Sequence, residues 1–92
     1  MESNESQIFI GNLERSESLE PVLYELLSQC GKVRAIRSPG KGYAFAEMES
    51  VAAATYAVLA LNGMRLHGRA IRVASAMEDE VRQSLIFAQG RH

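Results

Sequence analysis

The chain has 92 residues, which suit one domain and not two, and 47% of them are apolar, enough for a small core. Its one cysteine, Cys30, excludes an internal disulfide and fits an intracellular protein, and no run of about 18 apolar residues is present to span a membrane. The net charge of −1 argues against a strong polyanion binder, yet it is unevenly spread. Between Leu26 and Ser75 there are seven basic residues and two acidic ones, a net +5, while the flanks hold three basic and nine acidic residues, a net −6. A basic middle between acidic ends suits a local nucleic-acid footprint.

The start, MESNESQ, is polar and acidic, the opposite of a secretion signal, and residues 1–6 are expected to be flexible. Gln7 to Gly11, QIFIG, alternates in the manner of a strand, with Ile8 and Ile10 facing a core. Ser18 is expected to cap a helix that tolerates Pro21 in its first turn. Its buried stripe is Leu19, Leu23, Leu26, Leu27 and Cys30, and Gly31 ends it. KVRAIR, Lys32 to Arg37, reads as a second strand that needs a bulge, because Val33 and Ile36 cannot both face inward on a flat one. Ser38-Pro39-Gly40 makes a short turn, and Gly42 to Met48 is a third strand. Ser50 caps a second helix, closed by Asn62-Gly63, with Ala54, Ala57, Val58 and Leu61 buried. Arg69 to Ser75 is the last strand, with Ile71 and Val73 inward and Ala70, Arg72 and Ala74 outward.

The order βαββαβ implies an α+β, ferredoxin-like sandwich over residues 7–76: a four-stranded antiparallel sheet with two helices on one face. The other face is left open, and strand alternation puts Phe9, Tyr43 and Phe45 there. Three of the chain's six aromatics facing water demand a cover. Unstacked bases of single-stranded RNA provide one, at about 1–3 kcal/mol per stacked base.

On these residues the chain resembles the RNA recognition motif (RRM) family. IFIGNL, residues 8 to 13, looks like the family's first signature. KGYAFAEM, residues 41 to 48, looks like its second, and 27 residues holding a helix and a strand separate the two. The segments A57-V-x-x-L61-N62-G63 and G68-R-x-I71-x-V73 are also family habits. The resemblance implies that Phe9 and Tyr43 each stack on a base. It implies that Phe45 inserts between sugars or stacks, that Lys41 pairs with a phosphate, and that Asn12 orients its loop or touches RNA. Arg72 and Ala74 would flank the platform. Ala46 and Met48 depart from the usual β-branched and aromatic residues; both are expected to point into the core, with methionine filling gaps. The short turn before the third strand implies that fewer nucleotides are held.

A subset of the family is nearer still. The stretches E20-P-V-L-Y-E-L-L27, T55-Y-A-V58 and L61-N-G-M-R-L-H-G-R-A-I-R-V73 resemble two groups: the first RRM of the small two-RRM subunit of splicing factor 3b, and the RRM of a nuclear exosome adaptor. That likeness implies a nucleus-located component of pre-mRNA splicing or RNA processing. It also implies a protein partner segment on the helical side, where Tyr24 and Tyr56 are expected to be exposed, with Glu20 and Leu27 beside them. Residues 77–92, MEDEVRQSLIFAQGRH, are expected to form a docked helix, since Glu78, Asp79 and Glu80 favour a helix start.

An enzyme is not expected. His67, His92, Asp79 and Cys30 make no pair spaced for a metal or for a nucleophile and its base. Acylphosphatase shares the element order but needs a phosphate-cradling loop that IFIGNL-ERSES does not supply. No cofactor, membrane or small-molecule substrate is implied. The alternative to RNA binding is a protein-interaction RRM with little or no RNA affinity, which the acidic flanks would suit.

Overall fold

In a computed structural model, which describes residues 6–76, the elements run β1 (Gln7–Gly11), α1 (Glu20–Ser28), β2 (Val33–Arg37), β3 (Ala44–Met48), α2 (Val51–Leu61), β4 (Arg65–Leu66), β5 (Arg69–Ala70) and β6 (Arg72–Ser75). β2, β3, β1 and β6 lie in that order in one antiparallel sheet, and β4 with β5 makes a separate two-stranded hairpin. This is the ferredoxin-like α+β fold that the element order implies. The expected flexible start, apart from Ser6, and the C-terminal helix lie outside the described residues.

The alternation of β1 carries into space. Ile8 and Ile10 are buried on the helical side, and Phe9 points to the other. Leucines from α1, alanines from α2 and the inward residues of the other strands, such as Met48 and Val73, fill out the core together with Ile71. Ala46 and Met48 face inward, as alternation requires, and Met48 is fully buried. Burying a side chain of this size stabilises by about 1.5–3 kcal/mol. The inferred bulge is present: the β2–β3 register shifts between Val33 and Ala35. It lets Val33 turn fully inward while Ile36 is half-buried against the core.

Several expectations about the elements need correction. Ser18 does not cap α1: the Ser16 hydroxyl accepts from the Ser18 N–H and opens a 3-10 turn, Glu17–Leu19, ahead of the helix. Helix α1 itself starts behind Leu19, whose side chain is in the core and makes no cap, with Pro21 in the first turn lacking an N–H in any case. The third strand begins at Ala44 and not Gly42, because Gly42 has φ +95°, a left-handed conformation that breaks the ladder. The segment from Arg69 to Ser75 divides at Ile71, whose N–H donates to the Met64 carbonyl and whose carbonyl accepts from Gly63. That diversion frees Arg69 and Ala70 to pair with Arg65 and Leu66, with His67 and Gly68 both at positive φ as in a type I′ turn. In α2, Ala53 is buried where Val58 was expected, and Val58 is half-buried, as are Leu26 and Cys30 of the expected α1 stripe.

Helix α2 is otherwise as the sequence implies. Ser50 accepts from the Ala53 N–H at 3.1 Å, and Asn62 closes the helix. The Asn62 side chain then accepts from the Val73 N–H at 2.9 Å, fastening the end of α2 to β6.

Candidate nucleic-acid interface

Register decides what the helix-free face presents. Phe9 sits opposite Phe45 on one side and Ala74 on the other, and Phe45 sits opposite Arg37. A row therefore crosses all four strands: Arg37, Phe45, Phe9, Ala74. Beside it Ala35, Glu47 and Gln7 form a second row, and Gly11 pairs with Arg72 on the other flank.

The three rings of the sequence reading come together. Phe9 and Tyr43 stack at 6.3 Å between centroids, with 20° between planes. Phe45 meets both edge-on, at 5.4 Å from Phe9 and 5.8 Å from Tyr43. Edge-to-face and offset pairs of this kind match the quadrupoles of the rings. Each ring is half-buried, held by its neighbours and still open to a ligand on part of its surface. Tyr43 lies just ahead of β3, so its ring belongs to the face without its backbone belonging to the ladder.

Two glycines make this geometry possible. A Cβ on Gly11 would come within 2.8 Å of the Phe9 ring, so only glycine lets that ring lie back along β1. Gly42 takes its left-handed turn while its carbonyl accepts from the Leu13 N–H at 2.9 Å, joining the two signature segments directly.

The charged residues separate into roles. Lys41 and Arg72 are exposed at the margins of the rings, and Ala74 is half-buried within the row. Asn12 is held within the protein: its amide nitrogen donates to the Ala70 carbonyl at 2.9 Å, and its amide oxygen accepts from Arg69 at 3.1 Å. These contacts tie the end of β1 to the β4–β5 hairpin. His67, expected as a solvated loop residue, is half-exposed with Nδ1 2.8 Å from a Glu14 carboxylate oxygen. Arg37, Gln7 and Glu47 on the ring face were not foreseen. The signal for Arg37 was the bulge in KVRAIR, which resets the register so that Ala35 and Arg37 share the face of Phe45, while Gln7 and Glu47 follow Phe9 and Phe45 by simple strand alternation.

On the helical side, Tyr24 and Tyr56 are 50% and 56% exposed, and Glu20 is exposed near Tyr24. Leu27 corrects the expectation of a partner contact: it is 1% exposed, because its place on the Leu19–Leu23 stripe turns it into the core. Among the described residues no cluster of three His, Cys, Asp or Glu side chains is placed to hold a metal, and no helix is long and apolar enough to cross a membrane.

A sheet with two helices behind it and clustered aromatics in front is the architecture of a nucleic-acid-binding class of small domains. The family model of the RNA recognition motif matches residues 8–72, and the chain belongs to that family. It is 35% identical over 72 residues to human RNA-binding protein 7, covering 72% of this chain and 27% of that protein. It is 33% identical over 81 residues to human splicing factor 3B subunit 4, covering 80% of this chain and 19% of that one. The chain thus spans about a quarter or less of these relatives. Among solved structures it is similar to the Rna15 RRM with bound RNA (GU), with a TM-score of 0.66 and 26% identity, covering 75% of this chain and 80% of that one.

Proposed function

We propose that this domain binds single-stranded RNA on its helix-free face, with bases stacked on Phe9 and Tyr43 and Phe45 set against a base or sugar. The observation that carries the reading is the contiguous three-ring cluster, half-open to solvent, opposite the helices. Lys41 and Arg72, with Arg37 added by register, supply cations for the phosphates around it. Catalysis plays no part in this reading. The test is an NMR titration of the chain with short random-sequence oligoribonucleotides. Shifts centred on Phe9, Tyr43 and Phe45 are expected; shifts confined to α1 and α2 would favour the rival protein-interaction reading.

The exposure of Tyr24 and Tyr56 favours a second surface. We infer that a protein partner segment docks on the helical side through these tyrosines and Glu20, and that the chain serves in nuclear pre-mRNA splicing or RNA processing. The likeness to a splicing factor subunit and to an RNA-binding protein supports that role. Replacing both tyrosines with serine is expected to abolish partner capture while RNA binding and folding persist. Unchanged capture would remove the proposal.

A further inference from the structure

The ring face carries an acid. Glu47 shares the face of Phe45, two residues along β3, and sits in register between Gln7 and Ala35. A carboxylate on a surface that attracts phosphates weakens binding unless it does something specific. Folding makes little use of it. Its one ion pair within 4 Å among the described residues is with Arg34, 3.8 Å from Oε2, too long for a hydrogen bond and on a guanidinium side chain that is 61% exposed. The Glu47 side chain is itself only 27% exposed, so it is held in place and not waving in solvent. A hollow of about 410 Å³ opens beside it, lined by Gln7, Arg37, Phe45 and Glu47 among others. Phe45 gives it an aromatic side and Gln7, Arg37 and Glu47 polar ones, dimensions and chemistry that suit one flat base.

We propose that this hollow is a guanine-selective subsite of the RNA face and that Glu47 is its specificity-determining residue. The proposal rests on the RNA-binding reading and deepens it. A carboxylate offers two acceptors and no donor. On the Watson–Crick edge of an unpaired base, guanine alone presents two adjacent donors, N1–H and the 2-amino group, at a spacing that both carboxylate oxygens can accept. Cytosine and adenine present one amino donor beside an acceptor, which the carboxylate repels, and uracil presents one N–H between two carbonyls. Stacking on Phe45 is indifferent to which base is present. Discrimination therefore falls to Glu47, with the Gln7 amide beside it.

The experiment uses the full chain and fluorescently labelled heptauridylates in which the central position is G, A, C, U or inosine, with affinity read by anisotropy. The wild type is expected to prefer G over A, C and U by about tenfold, the effect of one good bidentate pair. Inosine, which lacks the 2-amino group, is expected to lose most of that preference. In Glu47→Gln the G and inosine affinities are expected to converge, while the oligomers without G bind at least as well as before. Equal wild-type affinity for all centres, or a G preference that survives Glu47→Gln, overturns the subsite. A uniform gain for every oligomer in Glu47→Gln overturns it too, because Glu47 would then act by charge alone. Those failures leave the platform standing provided that Tyr43→Ala still weakens every oligomer. If the wild type binds none, the platform reading falls and the subsite with it.

Discussion

Tyr43→Ala isolates the stacking surface from the fold. Tyr43 precedes β3, and its backbone is outside the pairing register, so no sheet hydrogen bond depends on its side chain. What the ring touches is Phe9, stacked at 6.3 Å, and Phe45, edge-on at 5.8 Å. Each aromatic pair is worth about 0.5–1.5 kcal/mol beyond burial. Losing both costs about 1–3 kcal/mol of stability, against the 5–15 kcal/mol typical of a domain. The protein therefore stays folded, with a melting temperature lowered by roughly 4–24 °C. RNA loses one stacked base, again about 1–3 kcal/mol, so Kd rises roughly 5- to 150-fold. Anisotropy with a labelled heptauridylate measures the second effect, and circular dichroism with a thermal melt measures the first. Tyr43→Phe, which keeps the ring, is expected to bind within about twofold of wild type. Should Tyr43→Ala remain folded and bind RNA as tightly as the wild type, the stacking argument is refuted.

Salt separates the RNA reading from its rival: with Lys41, Arg37 and Arg72 on three phosphates, log K against log salt is expected to slope at about −2, and Lys41→Ala to flatten that by about 0.7. A flat salt response would mean that phosphates are not engaged. Ile10→Ala empties a core position that is 1% exposed and is expected to cost about 2–5 kcal/mol in urea unfolding, enough to unfold a marginal domain. A loss under about 1 kcal/mol would contradict that placement. Burial pushes the Cys30 thiol above its ordinary value of 9.0, so the folded state favours the neutral thiol. Its stabilising contribution is whole below the unfolded value and is lost as pH rises through the higher folded one. Iodoacetamide is expected to alkylate native Cys30 more slowly than the urea-unfolded chain near neutral pH, and equal rates would contradict the burial.

Much of the molecule was readable in advance because it follows from periodicity. Ile8, Phe9 and Ile10 sort to two faces by the twofold alternation of a strand, and Leu19, Leu23 and Leu27 to one side by helical spacing. The bulge in β2 was legible as a conflict between Val33 and Ile36, and the rings of Phe9, Tyr43 and Phe45 as an unexplained apolar cluster. Helical spacing already sets Leu27 on the buried stripe, so the partner role that the resemblance implies for it fails on that same phase, which turns Leu27 inward and Tyr24 outward.

The residues themselves thus determined which elements form, which faces they bury and that three rings would share one surface, since those depend on interactions within a few positions along the chain. Only the tertiary structure decided who stands across from whom. Arg37 beside Phe45, Glu47 beside Gln7, and Asn12 tied to Ala70 and Arg69 depend on strand register and on a hairpin folding back over 57 or 58 residues of separation. A register shift of one residue would turn every side chain to the opposite face, and only the packed sheet chooses between them.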